Sequence, residues 1–463
     1  MQKEREFTGL RAHFWPIKMA DMKKIIPLFI IFTCLSSASI LIRDFKDFMF
    51  AGYFEPADCM ALLKFGNWQI LLGGIPLYLI GIHYLSPKKF FLTVLNVYSI
   101  GFAISAFLLI FAPDILKSNA AITLFLPYSF TFVTTVLCWI LVTQIFSIQD
   151  CKRVFSVFFI CLTIALLPIP ILESYIFVKS RSLSSLLFIS IGLCAIAQYA
   201  YYYLHKHILS SNETQEQDTP IATTISFMNS LKQSLTSPTL YLMLFVMVLF
   251  YTCSHLFDTL MKYYLKESMN TAGEVNKMVQ AMYNASIGHV FSIKGSAEII
   301  FLLFAGIGLL YKKSWGFVAK LIPITIIVAS ITMLILIACP DVSKYFSAIL
   351  QKKQADILFY VCTFCAVLIG IFSTIFIILK GMIYFYLGKS EQTKGRLIFE
   401  FVGTMMLGKA LGPMISAVLM ISNNTANMAD IGPSSLGIAC VLGVILFWVV
   451  NMVSKRIQVA EHD

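Results

Sequence analysis

Long apolar stretches separated by short polar ones run the length of the chain. A helix needs an apolar run of ~20 residues to cross the ~30 Å hydrocarbon core of a bilayer. Twelve such runs occur, at about 25–42, 67–85, 89–112, 120–146, 154–178, 184–204, 240–261, 289–311, 315–339, 356–379, 397–421 and 434–454. No segment shows the alternating polarity of a membrane β-strand. The pattern therefore predicts twelve transmembrane helices. The first run follows a charged segment of 24 residues and is as long as a full span, so it reads as a retained helix and not a cleaved signal peptide.

The most polar internal stretch, 205–239, carries Asn, Glu, Gln, Asp and Thr and reads as a solvated linker. It divides the chain into residues 1–204 (a cytoplasmic N-terminal segment and helices 1–6), the cytoplasmic linker 205–239, and residues 240–463 (helices 7–12 and a tail). On this reading His205 and His207 sit on a flexible loop and are poor ligands. No polar stretch is long enough for an extramembrane domain of useful size.

Composition agrees. Hydrophobic residues make up 58% of the chain and charged residues 13%, against about 45–50% and about 25% in soluble domains. A soluble enzyme is excluded, and 40 Phe with 20 Tyr exclude disorder. Nine of the 11 cysteines lie inside apolar runs, where Cys behaves as a small hydrophobe. Cys362 and Cys365 form a CxxC without the βαβ context of a redox motif. The net charge is +11. With both termini in the cytoplasm, 20 Lys and Arg fall on the cytoplasmic side and 12 on the other, as the positive-inside rule asks. That bias leaves positive charge to spare for an anionic substrate.

Ionisable groups deep in a span cost roughly 2.5–3.5 kcal/mol each on insertion scales, so each is a candidate for function. Span 1 ends in Arg43-Asp44-Phe45-Lys46-Asp47. Arg43 and Asp47, four apart, share a helix face and can pair. Span 7 ends with His255, Asp258 and Lys262 along one stripe. An offset of 215 superposes Arg43 on Asp258 and Asp47 on Lys262, as expected of two repeated halves with a substrate site at their interface. Lys294–Glu298 and Arg396–Glu400 are i,i+4 pairs, either structural or functional. Lys320 is placed to snorkel to the surface. Lys409 has no acid three or four residues away and needs water, carbonyls or an anionic ligand. Gly403 to Ala410 nearly fits a phosphate-binding loop, but Ala410 stands where a Mg²⁺-binding hydroxyl belongs and the context is an apolar helix. Gly408 and Gly412 read instead as a close helix-packing motif.

Several of these residues carry a resemblance. Arg11-Ala-His-Phe-Trp-Pro-Ile17, Lys23-Lys24, Pro27-Leu28 and Arg43 to Asp47 resemble the start of the nucleotide transporter family, which holds the ATP/ADP translocases of plastids and obligate intracellular bacteria. Gln144 with Asp150-Cys-Lys-Arg153, Ser237-Pro238, Asp258 with Lys262, Lys380, Lys394-Gly-Arg396, Glu400 and Gly408-Lys409 are similar to later family segments. Departures are the lack of an acid at Leu126-Pro-Tyr128 and the presence of Ile377 and Gly381 where acids flank the family's lysine. The basic residues are kept better than the acids, which favours an anionic substrate.

The resemblance implies an all-α, major-facilitator-like membrane protein with twelve helices in two pseudo-symmetric six-helix bundles. Its implied activity is alternating-access exchange of nucleotides. Lys46, Lys262 and Lys409, with Arg43 and Arg396, are the substrate-binding candidates. Asp44, Asp47, Asp258, Glu400 and His255 are the charge-pairing or gating candidates. No cofactor, metal or nucleic acid is implied. The partners are a nucleotide or other phosphorylated anion as cargo and the lipid bilayer, around a monomeric carrier in a bacterial inner membrane. A proton-coupled symporter of another organic anion and a transport-inactive relative stay open as alternatives. A membrane enzyme is opposed by the lack of any acid–base–nucleophile constellation.

Overall fold

The structure is a computed structural model that describes residues 19–53, 85–113, 183–209, 238–269, 277–302, 315–383, 408–423 and 428–462, with scattered positions between 115 and 175. Within these, ten long helical segments follow in order: α1 (Met19–Tyr53), α2 (Pro87–Phe111), α3 (Leu183–His207), α4 (Pro238–Met269), α5 (Lys277–Phe301), α6 (Trp315–Ala338), α7 (Pro340–Leu350), α8 (Gln354–Ile383), α9 (Lys409–Ser422) and α10 (Met428–His462). The described residues form no strand. Seven of the helices contain a stretch long and apolar enough to cross a membrane: Asp21–Phe45, Lys88–Phe111, Leu183–His207, Tyr241–Leu265, Gly316–Ala338, Gln354–Phe372 and Ile431–Lys455. These correspond to seven of the twelve predicted runs. The run at 67–85 lies almost entirely outside the described residues.

Local chemistry explains the helix ends. At α2, the Ser86 hydroxyl accepts the Lys89 backbone N–H at 3.4 Å and Pro87 fills the first turn, where its missing N–H costs nothing. At α8, the Asp356 carboxylate reaches back to the Lys353 N–H at 3.2 Å, one half of a capping box.

Burial shows what surrounds each helix. On α2, Leu95, Tyr98, Phe102 and Ala106 are buried, while Val97, Ile100, Ile104, Phe107 and Phe111 are exposed. Both sets follow helical spacing. An outward stripe this apolar has a natural solvent in lipid.

The chain divides into two compact units, with boundaries inside α1 after Lys46 and inside α5 after Lys294. In the first unit α2 and α3 pack antiparallel. Phe91 stacks on Tyr201 at 4.2 Å, Gln198 donates to Asn96 at 3.0 Å, and Phe107 meets Phe188 edge-on. In the second unit α6 and α10 pack antiparallel through small residues. Gly316 faces Ser454, and a Cβ on Gly443 would stand 2.9 Å from Ile327. The thiol of Cys253 on α4 donates to the Ala439 carbonyl of α10 at 3.7 Å. That of Cys362 on α8 points at the Phe257 carbonyl of α4 at 3.9 Å. The CxxC cysteines are therefore packing residues.

One expectation is corrected. His205 and His207 are not on a loop, because α3 continues through both. Its buried stripe of Ala197, Tyr201 and Leu204 extends to His205, which is 6% exposed. The His205 Nδ1 lies 3.0 Å from the Tyr201 carbonyl, and its ring sits 4.1 Å from the Tyr201 ring. Helical packing supplies this histidine with partners that a loop would lack. The connection between the ninth and tenth predicted spans contains the helix α7.

Candidate functional site

Apart from Arg396 and Glu400, the charged site candidates singled out above lie on α1, α4, α5, α6 and α9. On α1, Arg43 donates through Nε to Asp44 Oδ1 at 2.9 Å and through a terminal nitrogen to Oδ2 at 3.4 Å. This is a fork-like ion pair of the strong, charge-assisted kind. It joins Arg43 to the neighbouring acid. Both side chains are largely shielded, at 26% and 15% exposure, and they sit beside the fully buried Leu41, Ile42 and Phe45. The backbones of Lys46 and Asp47 continue α1. Their side chains, and with them any Arg43–Asp47 contact, lie outside the described residues. One turn earlier, the hydroxyls of Ser39 and Thr134 share a hydrogen bond of 3.2 Å, and Thr134 also donates to the Phe130 carbonyl.

On α4, His255, Asp258 and Lys262 are all half-buried, as a stripe at this spacing should be. No ion pair links Asp258 to Lys262 in this structure.

The stripe has a member that the sequence reading missed. Thr252 precedes His255 by three residues, and its hydroxyl donates to Val248 at 2.8 Å and to the Gly408 carbonyl at 3.3 Å. Gly408 directly precedes Lys409, which opens α9. One turn on, a Cβ at Gly412 would lie 2.8 Å from His255 Cβ and 3.2 Å from the Thr252 carbonyl. Only glycine lets α9 approach α4 this closely. The Gly408/Gly412 motif is thus a helix seam. Ser416, a further turn on, is buried and donates to the Gly412 carbonyl at 3.3 Å. The seam holds the backbone of residue 409 against α4 within the turns that carry Thr252 and His255. The side chain of Lys409, like Arg396 and Glu400 altogether, lies outside the described residues.

The remaining charges behave differently. On α5, Glu298 is 4% exposed and Lys294 is half-buried. Lys320 is half-buried near the start of α6. No group of three His, Cys, Asp or Glu among the described residues is placed to hold a metal ion.

The chain's likeness to known proteins bears on this arrangement. Among solved structures, the human organic anion transporter MFSD10 (TETRAN) is similar at a TM-score of 0.61 and 12% identity, over 92% of this chain and 99% of that one. The major facilitator superfamily transporter FucP is similar at 0.55 and 16%, over 96% and 99%. At such identities the likeness shows the fold, which is the all-α major facilitator fold. Among curated proteins, the ADP,ATP carrier protein 1 of Rickettsia bellii is 22% identical over 504 residues, covering 100% of this chain and 99% of the relative. That of Chlamydia trachomatis serovar D is 22% identical over 472 residues, covering 90% and 86%. The chloroplastic carrier of Arabidopsis thaliana is 23% identical over 454 residues, covering 88% and 70%. The family model described as TLC ATP/ADP transporter matches residues 1–132 and 129–458. A multi-pass helical membrane protein matched over nearly its whole length in this way is a transporter, and the chain belongs to the TLC ATP/ADP transporter family.

Proposed function

We propose that this protein exchanges adenine nucleotides, ATP against ADP, across a bacterial inner membrane. The observation that carries this reading is the family match over residues 1–132 and 129–458, with curated relatives named ADP,ATP carriers at either end of the coverage range. Nucleotide is cargo here and not fuel. The carrier works as a monomer with both termini in the cytoplasm. Its working parts are residues 1–204 and 240–463, joined by the linker 205–239.

Lys46, Lys262 and Lys409 bind the phosphates, with Arg43 and Arg396 as further cationic contacts. Each lysine–phosphate contact in a partly dry cavity contributes on the order of 1.5–3 kcal/mol. Asp44, Asp47, Asp258, Glu400 and His255 pair with these cations and keep the empty carrier tolerable, and Asp258 changes partner as it reorients. An exchanger needs an empty form that reorients slowly. Lysines left without an anion raise the barrier to that step, since moving uncompensated charge through a low-dielectric region is costly.

The test is uptake of labelled ATP into bacterial cells expressing the protein, followed by a chase with unlabelled ADP, GTP or NAD. Exchange predicts that external ADP releases accumulated label at least fivefold faster than buffer. Uptake that an uncoupler abolishes and ADP does not chase would instead identify a proton-coupled symporter. Failure to take up or bind nucleotide would identify a transport-inactive relative.

A further inference from the structure

Helix α7 is too short to cross a bilayer. Its 11 residues make about 16 Å at 1.5 Å per residue, against ~30 Å of hydrocarbon. It begins two residues after α6 ends at Ala338, and α8 begins at Gln354. Both neighbours contain membrane-crossing stretches, so α7 sits where two spans leave the membrane.

Its two faces differ. Ser343 is fully buried and Ser347 is half-buried. Ser343 accepts from the Gln354 side chain at 2.6 Å and donates to the Pro340 carbonyl at 2.9 Å. Ser347 donates to the Lys352 carbonyl. Gln351 takes a left-handed conformation, with φ 51° and ψ 40°, which turns the chain back into α8. The serine face is thereby fastened to the start of α8. The adjoining arc holds Val342, Tyr345, Phe346, Ile349 and Leu350, all exposed, with Tyr345 at 66% and Ile349 at 58%. On a helical wheel these five fall within about 140°. Lys344, with Asp341 at 3.7 Å, lies on the side away from the arc, and Lys352 and Lys353 follow in the turn.

We propose that α7 is a non-spanning membrane anchor. It lies along the bilayer surface with this arc sunk into the boundary between headgroups and acyl chains. The occupant of the arc is lipid, because the arc continues an interface that the protein already has. The neighbouring α6 exposes Ile324, Val328, Ile331 and Ile335 on a segment that crosses the bilayer. An amphipathic helix at such a junction buries its apolar face about 5–10 Å deep. Lys352 and Lys353 in the turn after it reach back to headgroup level along their apolar stems.

The wild-type full-length carrier tests this without substitution. It is reconstituted into phosphatidylcholine vesicles containing a phosphatidylcholine analogue with a diazirine near the top of one acyl chain. After irradiation, labelled residues are located by mass spectrometry. Adducts on Tyr345, Phe346 or Ile349 are expected, at least fivefold more frequent than on Asp341 or Lys344. The double variant Phe346→Asp, Ile349→Asp should lose those adducts while keeping nucleotide uptake, since neither residue is placed in the binding machinery. Adducts confined to the spanning helices would overturn the proposal. So would a carrier–carrier cross-link through residues 340–350, which would give the arc to a second copy of the chain.

Discussion

The charged end of α1 and the charged stripe of α4 stand 215 residues apart and begin alike. Each is preceded by a hydroxyl that ties its helix to another segment. Ser39 meets Thr134, and Thr252 meets the Gly408 carbonyl. Beyond that point they diverge. On α1 the acid of the first pair, Asp44, is held by a two-pronged contact to its neighbour Arg43. On α4, Asp258 makes no ion pair with the lysine one turn on. An acid already held by a guanidinium maintains structure, whereas an acid without that engagement can change partner during transport. The difference predicts that the first cluster holds and the second switches, even though their residue types mirror each other.

The largest effect should come from the lysines. Lys46→Ala and Lys262→Ala are each expected to weaken apparent nucleotide affinity tenfold or more, at about 1.5–3 kcal/mol per phosphate contact, with normal amounts of folded carrier. Uptake titrations normalised to purified carrier decide this. Near-normal affinity for Lys46→Ala alone would leave binding to the second cluster.

Next comes the seam beside the second cluster. Gly412→Ala puts a methyl 2.8 Å from His255 Cβ, an overpacking that costs about 1–3 kcal/mol. A melting temperature several degrees lower is expected. His255→Ala should not rescue it, because the clashing atom is the Cβ that alanine keeps. Unchanged melting of Gly412→Ala would mean that α9 can retreat from α4 at little cost.

The acids give the sharpest contrast. Asp44→Asn removes the carboxylate that holds Arg43 and is expected to reduce folded carrier by about 1–3 kcal/mol of stability, with normal turnover per surviving molecule. Asp258→Asn should do the reverse. It should keep abundance, hold or tighten apparent affinity by freeing Lys262 in the transport state where the two pair, and lower the maximal rate threefold or more. If both variants lose abundance and neither changes rate, the division between holding and switching is wrong.

The smallest effect belongs to the hydroxyls. Thr252→Val and Ser39→Ala should each cost about 0.6 kcal/mol, as interhelical hydrogen bonds in membranes do. Thr252→Ser should restore stability, which thermal unfolding in detergent would read.

Much of the fold was legible because lipid imposes so strong a pattern. The predicted run 315–339 is the observed stretch Gly316–Ala338, and 434–454 lies within Ile431–Lys455. What escaped was helix that apolarity does not mark. α5 starts at Lys277, twelve residues before its predicted run, through a polar first half. α7 is too short for a span, and only Pro340 and the spacing of Val342, Tyr345, Phe346 and Ile349 hinted at it. At the site, the spacing of His255, Asp258 and Lys262 was readable, and so was the packing role of Gly408 and Gly412. The Arg43–Asp44 contact was not, because a helical period weighs residues three and four away, while a long guanidinium can fold onto its neighbour. Thr252 was missed because a lone hydroxyl in an apolar run is normally satisfied by its own helix, as Val248 does here. Its second acceptor is visible only once α9 is in place.

The unbroken run of α1 has a mechanical consequence. The helix is 35 residues long, or about 52 Å, and its membrane-crossing part stops at Phe45. Residue 46 is therefore carried on a rigid rod and not on a hinge. It stands 13 residues, about 20 Å, from the middle of the crossing segment. A tilt of about 10° around that middle, within the range of membrane helices, sweeps residue 46 sideways by about 3 Å. That is the length of one lysine–phosphate contact, so a change of angle too small to disturb the packing at the fulcrum is enough to make or break a bond at the tip.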